Sequence, residues 1–324
     1  MTVNPQITVL IDDDDLHNQL LADVKAGLHA TPKRMPPKWF YDKRGSALFE
    51  QITQLPQYYL TSSEATILSD FGPDIVSATH ASSIVELGSG MSEKTRILLD
   101  AFSKYGELES YYPFDVSDVT VEDSLEILSE AYPHLTVGGV VGDFSRHLHH
   151  LPSGKNRMVV LLGSTIGNML PPERADLLSS LRREMNPGEK FLVGADMVKD
   201  VGTMVAAYDD PDGVTAKFNR NLLLVLNRHF DGDFQPAKFS HQVVWDKTAQ
   251  VIEMRLQART SMRVDLSALD MEVNFQAGEE LHTSVSTKFR LEGLRVELEE
   301  AGFHPLQHWT DLDKYFTVQL AEAI

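Results

Sequence analysis

The sequence predicts an α/β protein built on a doubly wound, mostly parallel sheet, together with a second α+β unit. Three observations carry this. Short apolar runs alternate with helical stretches from residue 83 to residue 196. The first of these runs, Ile84–Leu87, enters a Gly-x-Gly turn that opens a helix. After Asp196 the alternation stops, and helices are followed by strands of period two.

The elements follow in order. Residues 1–16 read as a frayed, solvated segment ahead of a helix near Leu16–Leu28. The run Asp12 to Asp15 is not a metal site, because consecutive carboxylates point in different directions. Two aromatic loops come next, Pro36-Pro37-Lys38-Trp39-Phe40-Tyr41-Asp42 and Leu55-Pro56-Gln57-Tyr58-Tyr59-Leu60-Thr61, separated by a short helix ending near Thr53. Their rings either pack the N-terminal helices or form a lid that aims phenolic hydroxyls at a ligand. Ser62 and Ser63 are candidate caps for a helix running to Leu68.

The parallel strands are Ile84–Leu87, Tyr111–Asp115, Thr136–Val141, Met158–Gly163 and Lys190–Ala195, with helices over Glu93–Tyr105, Val119–Ala131 and from Pro171 to Met185. The fourth strand is apolar throughout, as expected of one buried on both faces. Functional groups of such sheets gather at the carboxyl ends of the strands. Here those ends are Gly88–Gly90, Asp115, Asp143, Gly163–Asn168 and Asp196. Beyond them, helices are expected over Lys199–Tyr208 and Thr215–His229. Antiparallel strands follow over His241–Trp245 and Val251–Ala258, then a strand near Val285–Phe289. A helix Leu291–Ala301 and a last, antiparallel strand Tyr315–Ala321 return to the first sheet. The domains expected are 62–196 plus 287–324 for the first unit and 1–61 plus 197–286 for the second.

Composition narrows the function. A net charge of -18 disfavours nucleic acid and anionic membranes, so the expected partner is a small molecule. The 324 residues include no cysteine, which removes disulfides, thiolate metal sites and a thiol nucleophile. No membrane-spanning or signal segment is read, and a cytoplasmic location is expected. His147, His149 and His150 cluster without a carboxylate at ligand spacing, so no metal is expected there.

The Gly88-Ser89-Gly90 turn and the acid Asp115, twenty-five residues past Gly90, open a nucleoside-binding unit. A dinucleotide fingerprint wants a third small residue, and Glu93 stands in its place, where a carboxylate repels phosphate. S-adenosylmethionine (SAM) carries no phosphate. Its ribose diol suits Asp115, and its adenine amine suits an acid such as Asp143. With Glu86, these acids at successive strand ends favour SAM over NAD.

Several further motifs lie outside a generic SAM fold. They are Lys38-Trp39-Phe40-Tyr41-Asp42, Leu55-Pro56-Gln57-Tyr58-Tyr59, Glu86-Leu87-Gly88-Ser89-Gly90, Phe114-Asp115-Val116, Gly142-Asp143-Phe144 and Leu162-Gly163-Ser164-Thr165-Ile166-Gly167-Asn168. Ala207-Tyr208-Asp209-Asp210, Phe218-Asn219-Arg220-Asn221 and Lys288-Phe289-Arg290 complete the set. In this order and over nearly the full length, the chain resembles the SAM-dependent histidine Nα-methyltransferases of ergothioneine biosynthesis. The resemblance implies a class I SAM methyltransferase sheet, a substrate-binding second domain and a monomer that trimethylates the α-amine of L-histidine to hercynine. By position, Tyr41 and Asn168 would meet the α-nitrogen, and Tyr58, Asn168 and Tyr208 the amino acid's polar end. Phe49 and Met254 would shape the side-chain pocket. Gly88, Lys94, Asp115, Asp143 and Phe144 would serve SAM, joined by Glu86, Ser89, Gly90, Gly163 and Ser164 around the same strand ends. The resemblance also favours the lid reading of the aromatic loops.

One position departs from the family. A Glu that contacts the imidazole is replaced here by Ser284, while Ser286 is retained. Losing a charge-assisted bond weakens recognition by about 1.5–3 kcal/mol unless another group replaces it. A neutral, roomier pocket leaves two alternatives open: methylation of an imidazole ring nitrogen, or of the α-amine of another aromatic amino acid. A non-catalytic SAM-binding regulator is the alternative from another class, and the retained clamp of Tyr41, Asn168 and Tyr208 speaks against it. Methyl transfer from a sulfonium requires a deprotonated amine, so the candidate catalytic residues Tyr41 and Asn168 are read as orienting groups, Tyr41 also as a candidate proton acceptor, and no dedicated general base is assigned.

Overall fold

Strand Ser83–Leu87 is buried at every residue, as a strand covered on both faces must be. Around it the computed structural model, which describes residues 6–324 apart from the Glu93 side chain, forms a nine-stranded sheet. The order across the sheet is Ile7–Val9, Gly139–Val141, Ser110–Asp115, Ser83–Leu87, Arg157–Leu161, Lys190–Asp196, Phe316–Ala323 and Phe303–Thr310. The short strand Thr136–Val137 pairs with Ser110–Asp115 off this path. The strands from Ile7–Val9 to Lys190–Asp196 run parallel, and Phe316–Ala323 runs antiparallel to its two neighbours. The fold is therefore the α/β, doubly wound sheet expected. Its core joins strand residues such as Leu87, Phe114, Val159, Leu161 and Phe191 to Leu177, Leu178 and Leu181 of the helix Pro171–Arg183.

Several expectations are corrected. The N-terminal segment is not frayed throughout: Ile7–Val9 pairs in parallel with Gly139–Val141 and so belongs to the first unit rather than the second. Residues 1–5 of that expected segment lie outside the described residues. The first helix is longer than read, Asp13–His29, and its opening acids Asp13, Asp14 and Asp15 sit where the helix dipole favours negative charge. Ser62 and Ser63 do not cap a helix, because that helix begins earlier and spans Tyr59–Thr79. The third strand is split at Gly138. The strand Phe303–Thr310 was missed because Pro305 breaks its pattern, and an edge position with a register shift at Pro305/Gln307 tolerates it.

The chain divides into two compact units, the first holding residues to Asp12, Leu60–Val198 and Phe289–Ile324, the second Asp13–Tyr59 and Lys199–Lys288. In the second unit a four-stranded sheet has the order Lys33–Arg34, Glu280–Thr287, Val251–Ala258, Phe239–Asp246. Ile252, Met254, Leu256 and Ala258 are buried on one face, while Glu253, Arg255 and Gln257 line the half-exposed other. Asp246 accepts from the backbone of Thr248 and Ala249, which closes the expected hairpin turn. The strand near residue 285 runs earlier than expected, over Glu280–Thr287. A second hairpin, Met262–Leu266 with Met271–Phe275, was not foreseen. The long helix Val214–Phe230 packs with the helix Lys43–Thr53 and is capped by Asp210, which accepts from Val214 and Thr215. Burial opposes ionisation of Asp210, but those hydrogen bonds outweigh it and hold its carboxyl below the ordinary range. No helix among the described residues is long and apolar enough to cross a membrane.

Candidate active site

The first unit builds its site around the turn after Ser83–Leu87. Gly88 and Gly90 have φ of +66° and +51°, which glycine adopts without penalty. A Cβ on Gly88 would lie 3.4 Å from the Phe144 ring, whereas one on Gly90 would meet nothing within 4 Å, so the turn is open at Gly90. The turn is tied to the next strand by two hydrogen bonds. Gly88 N–H donates to the Phe114 carbonyl at 2.8 Å, and Gly90 N–H to the Asp115 carboxylate at 2.9 Å. The second Asp115 oxygen accepts from Ser117 N–H at 3.2 Å. A carboxylate has about four acceptor positions, so Asp115 keeps capacity to accept from a hydroxyl donor. Burial raises the Asp115 pKa, and the backbone hydrogen bonds from Gly90, Ser117 and Val116 oppose that rise.

The remaining residues of this unit are more varied. Asp143 is 7% exposed and accepts from Ser145 N–H and Oγ–H at 2.9 and 2.5 Å, which opens the short helix Phe144–His147. Glu86 faces away from the turn, accepting from the hydroxyls of Thr95 and Tyr111. Burial pushes its pKa up to about 7 against the pull of those bonds. Ser164 also faces inward, its Oγ accepting from Asp196 N–H at 3.0 Å. Both residues therefore shape the site from behind. Lys94 pairs with the fully buried Glu64, whose carboxylate also accepts from Gly163 N–H at 2.9 Å. Asn168 ends the 3-10 turn Thr165–Asn168 and is exposed. The Glu93 side chain, on which the sequence argument against a dinucleotide turned, lies outside the described residues. His147 accepts from Asp143 N–H at 3.1 Å, and no group of three potential ligand side chains that could hold a metal ion occurs among the described residues.

These features fit SAM. The turn admits a close approach, Asp115 can accept from a diol, and Ser89 Oγ is buried without a hydrogen-bond partner among the described residues. Such an orphaned hydroxyl is expected where a ligand supplies the missing partner.

The second unit gathers the aromatic residues. Tyr41 lies edge-on to Phe49 and Phe218 at 5.4 Å each, Phe49 to Tyr58 at 6.1 Å, and Tyr58 to Tyr208 at 6.2 Å. Tyr41 is held locally, because its neighbour Asp42 caps the helix Lys43–Thr53 and accepts from Asn221 at 2.7 Å. Tyr208 Oη lies 2.8 Å from Ser286 Oγ. Met254 and Ser284 face one another in register across paired strands, and the register shift beside them leaves Thr283 unpaired in the ladder. Thr283 spends its hydroxyl on Asn219 and the Met254 carbonyl. Asn219 donates to His241 Nδ1 at 2.9 Å, and His241 Nε2–H donates to the Tyr208 carbonyl at 2.9 Å. The chain from Thr283 to Tyr208 thus fixes the backbone that carries a predicted substrate-binding residue.

Two groups were given no role by the sequence reading, although Lys288 stood within one of its motifs. Glu64 gave no signal, since an acid near a helix start reads as solvated. Lys288 gave one: it follows Ser284 and Ser286 at strand period two and so shares their face.

A model of the SAM-dependent, histidine-specific methyltransferases matches residues 20–323. The chain is 47% identical over 311 residues to the histidine N-alpha-methyltransferase of Mycobacterium tuberculosis, covering 96% of this chain and 97% of that protein. It is 48% identical to the protein of the same name from Mycolicibacterium smegmatis, covering 95% and 96%. The ergothioneine biosynthesis protein 1 of Schizosaccharomyces pombe is 32% identical over 71% of this chain and 31% of that longer protein. With a match that spans both units, this chain belongs to the family of SAM-dependent, histidine-specific methyltransferases.

Proposed function

We propose that this protein transfers methyl groups from SAM to the α-amine of L-histidine, three in succession, to give hercynine. The observation that carries the reading is the similarity to the mycobacterial histidine N-alpha-methyltransferases over 95% or more of the chain. The first unit supplies the cofactor side, with Gly88, Ser89, Gly90, Asp115, Asp143 and Phe144 at the strand ends. When bound, SAM supplies an electrophilic methyl group on a sulfonium, and no metal is required. The second unit supplies the amino-acid side, with Tyr58, Tyr208 and Ser286 as polar contacts and Phe49 and Met254 as walls.

The chain's own residues act mainly by positioning and by excluding water. Tyr41 and Asn168 offer neutral hydrogen-bonding groups that orient an amine lone pair without holding it protonated. The aromatic cluster lowers the local polarity, which favours the neutral amine needed before each methylation. The reading includes a monomer acting on a small molecule in the cytoplasm.

Ser284 favours a second reading, in which the same fold methylates an imidazole ring nitrogen or the α-amine of another aromatic amino acid. An assay with SAM across free amino acids, with mass spectrometry and NMR to locate the methyl groups, separates the two. Trimethylation at Nα of histidine supports the first reading. Methylation on the ring alone, or of tryptophan or tyrosine alone, overturns it.

A further inference from the structure

Three segments of the first unit meet at one carboxylate. Glu64, on the helix Tyr59–Thr79, is fully buried. Both of its oxygens lie 2.9 Å from the Gly163 nitrogen, whose N–H they accept, in the turn after the strand Arg157–Leu161. Its Oε2 also accepts from Lys94 Nζ, on the first turn of the helix Glu93–Tyr105 that follows the Gly88–Gly90 turn. The ammonium is thereby held against Gly163, where an added Cβ would stand 3.1 Å from Nζ. Gly163 has a φ of +74°, so the close approach falls at a backbone position that favours glycine for a second reason.

Counting donors shows what this arrangement leaves. An ammonium carries three N–H donors. One is spent on Glu64, and no other acceptor for Lys94 Nζ occurs among the described residues. The Lys94 side chain keeps 26% of its exposure and Glu64 none, so the carboxylate reaches a ligand only through the groups it holds. A free lysine loses much of its rotamer freedom when it grips a ligand. Here Glu64 has already fixed the side chain, and that cost falls on folding rather than on binding. We propose that Glu64 is a positioning residue that holds the Lys94 ammonium for the carboxylate at the amino-acid end of SAM. The inference rests on the reading that Lys94 serves SAM, and adds which group it receives and which residue places it. The carboxylate is the anionic group of SAM, whereas its sulfonium and α-ammonium are cations that Lys94 repels.

The test compares three ligands by calorimetry: S-adenosylhomocysteine, its decarboxylated analogue, which keeps the amine, and 5′-methylthioadenosine, which has neither group. In Glu64→Gln, Kd for S-adenosylhomocysteine is expected to rise by roughly tenfold, while Kd for the other two rises by no more than about twofold. Lys94→Met gives the same selective loss. Adding Glu64→Gln to it changes little further, because the carboxylate acts through the lysine. Glu64→Asp, which keeps the charge but withdraws it by one methylene, gives a smaller loss with the same selectivity and serves where Glu64→Gln does not fold. A purely structural role weakens all three ligands alike, and that result overturns the assignment. Unchanged or tighter binding of S-adenosylhomocysteine in Glu64→Gln overturns it too, since the carboxylate would then be idle or competing for Lys94. A Lys94→Met protein that still prefers S-adenosylhomocysteine to its decarboxylated analogue as strongly as wild type instead refutes the reading of Lys94 on which the proposal rests.

Discussion

Glu64 and Lys94, thirty residues apart, form an ion pair in which the carboxylate is wholly buried while the lysine side chain keeps 26% of its exposure. The space for that carboxylate comes from Gly194, where an added Cβ would stand 2.0 Å from Glu64 Oε1. The pair is therefore asymmetric. Removing the lysine strands a buried charge, whereas removing the carboxylate leaves an ammonium that reaches water.

Lys94→Met is expected to cost about 3 kcal/mol of stability, the scale of a buried ion left without its partner. Glu64→Gln is expected to cost less, about 1–2 kcal/mol, chiefly through the weakened bond to Gly163 N–H. Gly194→Ala removes the same space and should resemble Glu64→Gln or be worse. Urea unfolding of the three variants measures the order. A larger loss in Glu64→Gln than in Lys94→Met contradicts the asymmetry.

Glu86 makes stability depend on pH in the direction opposite to an exposed acid. Its ordinary pKa of 4.5 rises to about 7 in the folded protein, chiefly by burial. Between those values the native chain holds a proton that the unfolded chain has released. Its contribution is therefore fully present below pH 4.5 and is lost as pH rises to about 7, by about 3 kcal/mol at 1.36 kcal/mol per unit. Denaturant unfolding from pH 4.5 to 8 should show this decline in wild type and a flatter profile in Glu86→Gln. Parallel profiles would assign the slope to other groups.

The first sheet was legible because burial on both faces writes itself as continuous apolar runs, and the strand ends then locate Gly88, Asp115 and Asp143. What escaped depends on distant packing. Glu64 is buried only because Gly194, 130 residues later, leaves room for it. Glu86 reads as a strand-end acid, yet its partners Thr95 and Tyr111 turn it inward. In the second unit the alternation of Val251–Ala258 correctly named its buried face. Thr283 falls at a register shift, and no period in the sequence marks such an irregularity.

The chain from Thr283 through Asn219 to His241 fixes a tautomer. His241 Nδ1 accepts from Asn219 and Nε2–H donates to the Tyr208 carbonyl, so the imidazole must be neutral. Burial lowers the His241 pKa below 6.5, consistent with that requirement. Its contribution to stability is complete above pH 6.5 and falls as pH drops toward the lowered value, because the unfolded chain takes up the proton first. Nitrogen NMR of the ring should show the Nε2–H tautomer at pH 7. Thr283→Val, which leaves Asn219 Oδ1 without its donor, should cost about 1–3 kcal/mol and disturb that signal.

Ser284 offers the most direct test of specificity. It is half-buried opposite Met254, and among the described residues its hydroxyl makes only a long 3.4 Å contact to the Val285 carbonyl. A neutral hydroxyl that is weakly engaged holds an imidazole N–H poorly. Ser284→Glu supplies a carboxylate at the same strand position, and a charge-assisted bond contributes about 1.5–3 kcal/mol. If histidine is the substrate and its ring reaches this strand, Kd for histidine should fall by roughly tenfold to a hundredfold. Binding of phenylalanine, which has no ring donor, should weaken as the carboxylate is buried against an apolar edge. Calorimetry with the two amino acids reads the change directly. An unchanged histidine Kd in Ser284→Glu would place the ring elsewhere, and a variant that prefers tryptophan would move the substrate assignment away from histidine.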